Sequence, residues 1–226
     1  MEKTLAMIST GSAIIPELTR IAKELNPEIN LIHYLDDGII SDIANHQNTV
    51  SVECLQRLFH LAQAAELGGA SAILVTCSSI SEFVDAAQPF LSIPIYKIDE
   101  PMLETALERG TRIGIMATVA TTLAPTIRQL KTLAKKRGKD IQIEYCLEEA
   151  AFRAHLEGKT DLHDALIQHS ILELCSCCDA VVLAQVSMTL IVYRLPNDEA
   201  RRKILTSPYS GIKNALDQMT EAECQS

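Results

Sequence analysis

The chain repeats itself, and this repeat limits the folds that it can adopt. The segment MISTGSAIIPEL (7–18) matches IMATVATTLAPTI (115–127), with Thr10 aligned on Thr118. The segment GASAILVTCSS (69–79) matches CCDAVVLAQVS (177–187) at the same separation of 108 residues. Two matches at one separation indicate two similar structural units that arose by duplication.

Short apolar runs alternate with longer segments of helical periodicity in both halves. The runs that predict strands are 5–9, 30–35, 72–76, 93–98, 112–117, 141–146 and 180–185. Amphipathic segments between them predict helices, so the pattern is a βαβ series with parallel sheets. We predict an α/β fold of two lobes: 1–98 with a returning helix at about 207–222, and 99–206.

Ligands of open parallel sheets bind beyond the carboxyl ends of the strands. In the first lobe that position holds Cys77, and in the second lobe it holds Gln185. The repeat therefore predicts a ligand site in a cleft between the lobes, with these two residues facing one another.

Charge and hydropathy exclude several classes of partner. The net charge is −9 and the pI is near 5.2, so we expect binding neither to nucleic acid nor to an anionic membrane surface. No signal-peptide pattern or membrane-length apolar run is visible, which predicts a cytoplasmic protein. A small molecule is the expected ligand, and assembly into a homo-oligomer is left open.

Seven cysteines predict free thiols in a reducing compartment, because an odd count does not suit a disulfide framework. The cluster CSCC (175–178) has metal-like spacing but lacks a partner CxxC or HxxxH elsewhere, so we interpret it as packing. No GxGxxG, P-loop or HExxH is found. We therefore expect neither a cofactor nor a metal.

Cys77 has a packing interpretation and a catalytic one. A free cysteine is commonly a small buried residue. Cys77, however, follows a strand and precedes a helical pattern, where backbone N–H groups favour the thiolate and lower the thiol pKa below about 8.5. Ser78 and Ser79 either cap that helix or hold a carboxylate or developing oxyanion with their hydroxyl and N–H groups.

Hydroxyl-rich turns follow the equivalent strands of both lobes. Such turns are ordinary capping chemistry, but their duplication favours a role in binding substrate. The candidates for substrate binding are Thr10, Gly11, Ser12, Ser78, Ser79, Thr118, Thr121, Thr122, Gln185 and Ser187.

The motifs VTCSSI (75–80), LAQVSM (183–188), IDEPM (98–102) and MATVATT (116–122), with the pair His163–Asp164, resemble the aspartate/glutamate racemase superfamily. The resemblance covers nearly the whole chain and implies two pseudo-symmetric flavodoxin-like lobes. It also implies a cofactor-independent racemase or isomerase that acts on a small carboxylic acid through a cysteine thiolate, Cys77 in this chain. Members with two cysteines use one thiol on each face of the substrate.

Gln185 stands where the resemblance implies a second cysteine, and an amide cannot exchange a proton at neutral pH. If the reaction is a racemisation, another group must serve the opposite face, and we name His163 and Glu100 as candidate catalytic residues. His163 is otherwise a surface residue of a helix start. The alternatives are a one-base decarboxylase, a cysteine-adduct isomerase, or a two-lobe protein that only binds a small acid.

Overall fold

The computed structural model describes residues 3–192, 194–195 and 198–224, and it leaves out the side chains of residue 190 and residues 222–224. Strands and helices alternate along the chain. In chain order they are β1 (Thr4–Ser9), α1 (Ile15–Leu25), β2 (Asn30–Leu35), α2 (Gly38–Asn45), α3 (Val52–Leu67), β3 (Ala72–Val75), α4 (Glu82–Ala87), β4 (Ile95–Lys97), α5 (Glu100–Arg109), β5 (Arg112–Ala117), α6 (Ala120–Lys136), β6 (Gln142–Leu147), α7 (Glu149–Leu156), α8 (Thr160–Cys177), β7 (Ala180–Leu183), α9 (Thr189–Val192), α10 (Asp198–Lys203), β8 (Ile204–Thr206) and α11 (Ser207–Cys224).

The chain divides into two compact units. The first unit extends to Asp99 and resumes at Pro208, and the second unit is Glu100–Ser207. The first unit therefore contains β1 to β4 and nearly all of α11, and the second contains β5 to β8 with α5 to α10.

The described strands form one parallel sheet in each unit. The first sheet has the order β2-β1-β3-β4 and the second has the order β6-β5-β7-β8. The register is also repeated: Leu5 pairs with Ala72 between β1 and β3, and Ile113 pairs with Ala180 between β5 and β7, each residue 108 positions later. The predicted α/β fold with two similar halves is confirmed.

The central strands explain the apolar runs of the sequence. Every residue of β1, β3 and β7 is buried, because helices cover both faces of a parallel sheet. The edge strand β2 is only half-buried, which accounts for the polar residues in NLIHYL. Within the described residues, no helix combines the length and the apolar character that a membrane crossing requires.

Gly211 allows α11 to approach the backbone that follows β4. A Cβ atom at Gly211 would overlap the carbonyl oxygen of Ile98 and lie 2.7 Å from its Cγ1 atom. Ile98 is itself fully buried, and its N–H donates a 3.0 Å hydrogen bond to the carbonyl of Val75. The backbone at Ile98 therefore has little room to move away.

We expect Gly211→Ala to lower the free energy of unfolding by about 1–3 kcal/mol, because overpacking forces the backbone apart. Urea unfolding measures this change. Lys213→Ala, at an exposed position of the same helix, is the control and should change the free energy by less than about 0.5 kcal/mol. Equal stabilities of the two variants would contradict the close approach.

Candidate active site

Cys77 lies just past the carboxyl end of β3. Its backbone is extended, with φ −130° and ψ 120°, and the 3-10 turn Ser78–Ile80 follows directly. The side chain is partly buried. This position is the edge of a parallel sheet where ligands bind.

Polar groups from two segments act on the Cys77 sulfur. Hydrogen bonds from the Thr10 hydroxyl, the Ser79 backbone N–H and the Ser79 hydroxyl each lower the pKa of the thiol. Thr10 follows β1, which pairs with β3, so the adjacent strand ends bring these groups together. Three other candidate residues are neighbours of Thr10 or Ser79 in the sequence: Ser78 is buried, Gly11 is half-buried and Ser12 is exposed.

A short chain of hydrogen bonds connects the carboxyl ends of β1 and β3 next to these groups. The hydroxyls of Ser9 and Thr76 lie 2.8 Å apart, and the Thr76 hydroxyl donates to the carbonyl of Ile8 at 3.1 Å. Because Thr76 uses its single hydrogen there, Ser9 donates to Thr76. The hydrogen bond between Ser9 and Thr76 thus links the two segments, each at the residue directly before Thr10 or Cys77.

A buried acid is part of this region, and the sequence analysis missed it. Asp99 is fully buried, and the Ser81 hydroxyl lies 3.1 Å from both of its carboxylate oxygens. The negative charge of Asp99 reaches Cys77 and raises the pKa of its thiol. The motif IDEPM contained this residue, but the sequence did not distinguish the buried Asp99 from Glu100.

The prediction that Cys77 titrates below its ordinary pKa is wrong. Burial is the largest influence and raises the pKa of the thiol, Asp99 raises it further, and the hydrogen bonds from Thr10 and Ser79 oppose them without prevailing. The following helical structure is also short, a three-residue 3-10 turn and then six residues of α4. Cys77 is therefore a protonated thiol at neutral pH.

Gln185 has the same backbone environment in the second unit. Its φ and ψ are −129° and 135°, and the 3-10 turn Val186–Met188 follows it. The amide oxygen accepts hydrogen bonds from the Thr118 N–H at 2.7 Å and from the Thr118 hydroxyl at 3.0 Å. A backbone N–H only donates, so the amide oxygen must face Thr118, and the Nε2 group is turned the other way.

The remaining hydroxyl candidates of the second unit lie in two places. Thr121 and Thr122 are buried in the first turn of α6, and Ser187 is exposed in the turn after Gln185. Thr189 is one further hydroxyl that the sequence analysis missed: its side chain is 7% exposed, and its hydroxyl has no hydrogen-bond partner. It ends the turn after Gln185 as Ser81 ends the turn after Cys77.

The two candidate second acid/base residues both belong to the second unit. Glu100 is the half-buried first residue of α5. His163 lies in the first turns of α8, where its Nδ1 atom is 2.8 Å from the Asp164 carboxylate, which also binds Arg194. These contacts orient the His163 ring, and its role in catalysis stays a prediction.

The cysteines outside the site are free thiols in various environments. Cys54, Cys175 and Cys178 are buried, Cys146 is half-buried, and Cys177 is exposed; the side chain of Cys224 lies outside the described part. Burial and the neighbouring Cys177 raise the pKa of Cys178 to about 12. Among the described residues, no group of three or more His, Cys, Asp or Glu side chains could hold a metal ion.

Most of the chain matches the sequence profile of one protein family. The sequence profile described as Asp/Glu/Hydantoin racemase matches residues 6–206. The chain belongs to the Asp/Glu/hydantoin racemase family. Membership of this family supports a racemase-type enzyme, and the resemblance noted in the sequence is confirmed. No curated protein sequence matches the chain significantly.

Solved structures share the fold at low sequence identity. A provisionally assigned Asp/Glu racemase from Yersinia pestis has 17% identity and a TM-score of 0.74, with 96% of this chain and 99% of that chain covered. A glutamate racemase from Bacillus anthracis has 15% identity and a TM-score of 0.71, covering 98% and 82%. An allantoin racemase from Klebsiella pneumoniae has 15% identity and a TM-score of 0.67, covering 99% and 89%. At these identities the likeness shows the fold alone.

Proposed function

We propose that this family member is a cofactor-independent enzyme that acts on a small carboxylic acid with Cys77 as its single proton-transfer thiol. The observation that carries the proposal is the equivalence of Cys77 and Gln185. Both residues have the same backbone conformation before a 3-10 turn, but only one of them has a side chain that exchanges protons. That both act on one substrate stays a prediction from the sequence repeat.

The neighbouring groups suit an anionic substrate. Hydroxyl and N–H groups at Thr10 and Ser79 are hydrogen-bond donors beside the thiol. Gln185 has its oxygen satisfied by Thr118, so its Nε2 group is a donor with a fixed orientation. Donors held in place before the reaction stabilise the charge of a carboxylate, and they stabilise an enediolate more strongly as that charge develops.

A single thiol determines the stereochemistry. The resting thiol of Cys77 first gives its proton to solvent. The thiolate then removes the α-proton, so that the C–H electron pair becomes part of the enediolate and the sulfur holds the proton. The thiol then exchanges that proton with solvent and returns a solvent proton to the same face. The α-position therefore exchanges with retention of configuration.

The test is an exchange experiment in D₂O. Both enantiomers of candidate acids, beginning with aspartate and glutamate, are incubated with the protein, and deuterium at the α-carbon is followed by NMR and chiral chromatography. We expect exchange into one enantiomer of a substrate, without inversion. Exchange and inversion of both enantiomers would contradict the single-thiol proposal and would make His163 or Glu100 the first candidates for the second acid/base group.

A one-base decarboxylase is the second candidate, because burial and Asp99 keep Cys77 protonated. A resting thiol is ready to give its proton to the carbanion that forms when CO₂ leaves, after which the sulfur is a thiolate until solvent reprotonates it. Release of CO₂ from a substituted malonate, with one enantiomer as product, would favour this reaction. Exchange into aspartate or glutamate without CO₂ release would favour abstraction of the α-proton by Cys77.

A further inference from the structure

An apolar groove of the first unit takes no part in the mechanism above. It lies between α3 and the segment formed by α4 and the 3-10 turn Gln88–Phe90, and its volume is about 320 Å³. The lining residues include no Asp, Glu, Lys or Arg: they are Val52, Leu55, Gln56, Phe59, His60, Phe83, Ala86, Ala87 and Phe90.

Exposed apolar side chains gather at this groove. The described part of the chain exposes ten large hydrophobic side chains, and three of them line the groove: Phe90 is 72% exposed, Val52 is 65% exposed and Leu55 is 36% exposed. Single exposed apolar residues are ordinary on a protein surface, whereas a contiguous group of them marks an interaction site.

Helix α8 of the second unit is the counterpart of α3. Their buried positions match at a separation of 109 residues: Leu58, Ala62 and Ala65 in α3, and Ile167, Ile171 and Leu174 in α8. The separation differs from 108 because the connection from α8 to β7 is shorter than that from α3 to β3. By this match Leu55 corresponds to Asp164. Phe59 corresponds to Gln168, so the second unit is polar where the groove is apolar.

An ion pair joins the counterparts of two groove residues. The separation of 108 that relates Ser81 to Thr189 makes Arg194 the counterpart of Ala86. Arg194 binds the Asp164 carboxylate, and Asp164 is the counterpart of Leu55. The same arrangement of elements therefore forms with charged residues at these positions. The fold by itself does not require an apolar groove, and a partner that covers the groove does.

We propose that the groove is a contact between two copies of this chain, related by a twofold axis that places Phe90 of each copy in the groove of the other. A contact between identical surfaces has to be self-complementary, and this face has both a cavity and an exposed ring beside it. A cavity of about 150 Å³ holds benzene, so the groove has room for a phenyl ring. The Phe59 ring contacts the Phe90 ring edge-on, with centroids 5.8 Å apart, and so orients it.

The charge of the protein favours this face for self-association. Each copy has a net charge of −9, so two copies repel one another. No acidic residue lines the groove, and a contact there buries no carboxylate. On the adjoining helix α4, Asp85 is paired with Lys97. The groove is thus a face at which two acidic chains meet without like charges between them.

The size of the groove sets the expected affinity. Nine residues line it, whereas an interface of standard size takes about 20–30 residues and about 800 Å² on each partner. The groove is therefore the apolar core of an interface, and a polar rim surrounds it. With a core of this size, we expect a reversible dimer with a dissociation constant of about 1 μM, within the range of interfaces of this class.

Sedimentation velocity of the full chain over a range of concentrations tests the proposal. We expect species of one and two times the 24.8 kDa chain mass, with a dimer fraction that rises with concentration. Phe90→Glu places a carboxylate in each groove of the dimer and should weaken association by about 100-fold or more, because the centre of an interface carries most of its binding energy. Phe90 is mostly exposed in the single chain, so this change keeps the fold.

Val52→Glu is a second variant that places an acid in the groove from the side of α3. Val52 is the first residue of that helix, where an acid is well tolerated, and this variant should also weaken association by about 100-fold. Phe152→Glu is the matched control: it makes the same change at an exposed aromatic residue of α7 and should leave the dissociation constant within about twofold. Circular dichroism checks that each variant is folded.

Three results would overturn the inference. The first is a chain that stays monomeric at every concentration, which would leave the groove to a different partner. The second is a dimer that persists in folded Phe90→Glu or Val52→Glu. The third is a series of larger species without a stable dimer, which a closed twofold contact does not produce. None of these results concerns Cys77, so the proposed function stands or fails separately in the D₂O experiment.

Discussion

Replacement of Cys77 by alanine will reduce α-proton exchange by about 10²–10⁴-fold, the usual contribution of a positioned acid or base. The reason is the position of Cys77 beyond the end of β3, with the hydrogen-bond donors of Thr10 and Ser79 around its sulfur. The measurement is the initial rate of deuterium incorporation into the acid that the D₂O experiment identifies. Cys77→Ser tests the same point with a side chain of similar shape whose hydroxyl does not ionise at neutral pH.

Cys177→Ala is the matched control for this prediction. Cys177 is an exposed free thiol at the end of α8 in the second unit, and we expect its removal to leave the exchange rate within about twofold. Exchange that survives in Cys77→Ala would show that the working group lies elsewhere. Equal losses in both variants would indicate damage to the fold, which circular dichroism and thermal unfolding would detect.

The strands of the fold could be predicted because burial on both faces leaves a simple signal. The runs at 30–35 and 112–117 match β2 and β5 residue for residue. The strand β8 could not be predicted in this way, because it has three residues and follows the basic sequence Arg201–Lys203, which belongs to α10. It is a strand because it pairs with β7, and a pairing between distant segments leaves no signal in the local sequence.

The repeat made it possible to predict which residues of the candidate site are equivalent. The pKa of Cys77 could not be predicted in this way, because it depends on burial. Alignment of the halves identified Gln185 as the counterpart of Cys77, and the backbone angles agree. The direction of the pKa shift of Cys77 was predicted wrongly, because it depends on burial and on Asp99, which approaches from another strand. Adjacent acids at 99 and 100 look alike in sequence until the fold buries the first of them.

Replacement of Gln185 by glutamate will distinguish the role of the amide oxygen from the role of the Nε2 group. We expect this variant to lose more activity than Gln185→Ala. Glutamate keeps an oxygen that accepts the two hydrogen bonds from Thr118, but it replaces the Nε2 donor with a second anionic oxygen. A carboxylate substrate would then meet a like charge in place of a donor. Gln185→Ala should lower kcat/KM by about 10–100-fold, equivalent to about 1–3 kcal/mol for one lost buried hydrogen bond.

The alanine variant also leaves the buried Thr118 N–H without its partner, so part of its loss reflects a weaker fold. The glutamate variant avoids this ambiguity, since its acceptor contacts to Thr118 are kept. Thr118→Val is the companion control: it removes the hydroxyl contact with Gln185 and keeps the backbone one, so its loss of activity should be smaller than that of Gln185→Glu. If Gln185→Glu retains full activity and native stability, the amide does not donate to the substrate. The second unit would then contribute to the reaction through other groups, of which the unpartnered hydroxyl of Thr189 would be the first to examine.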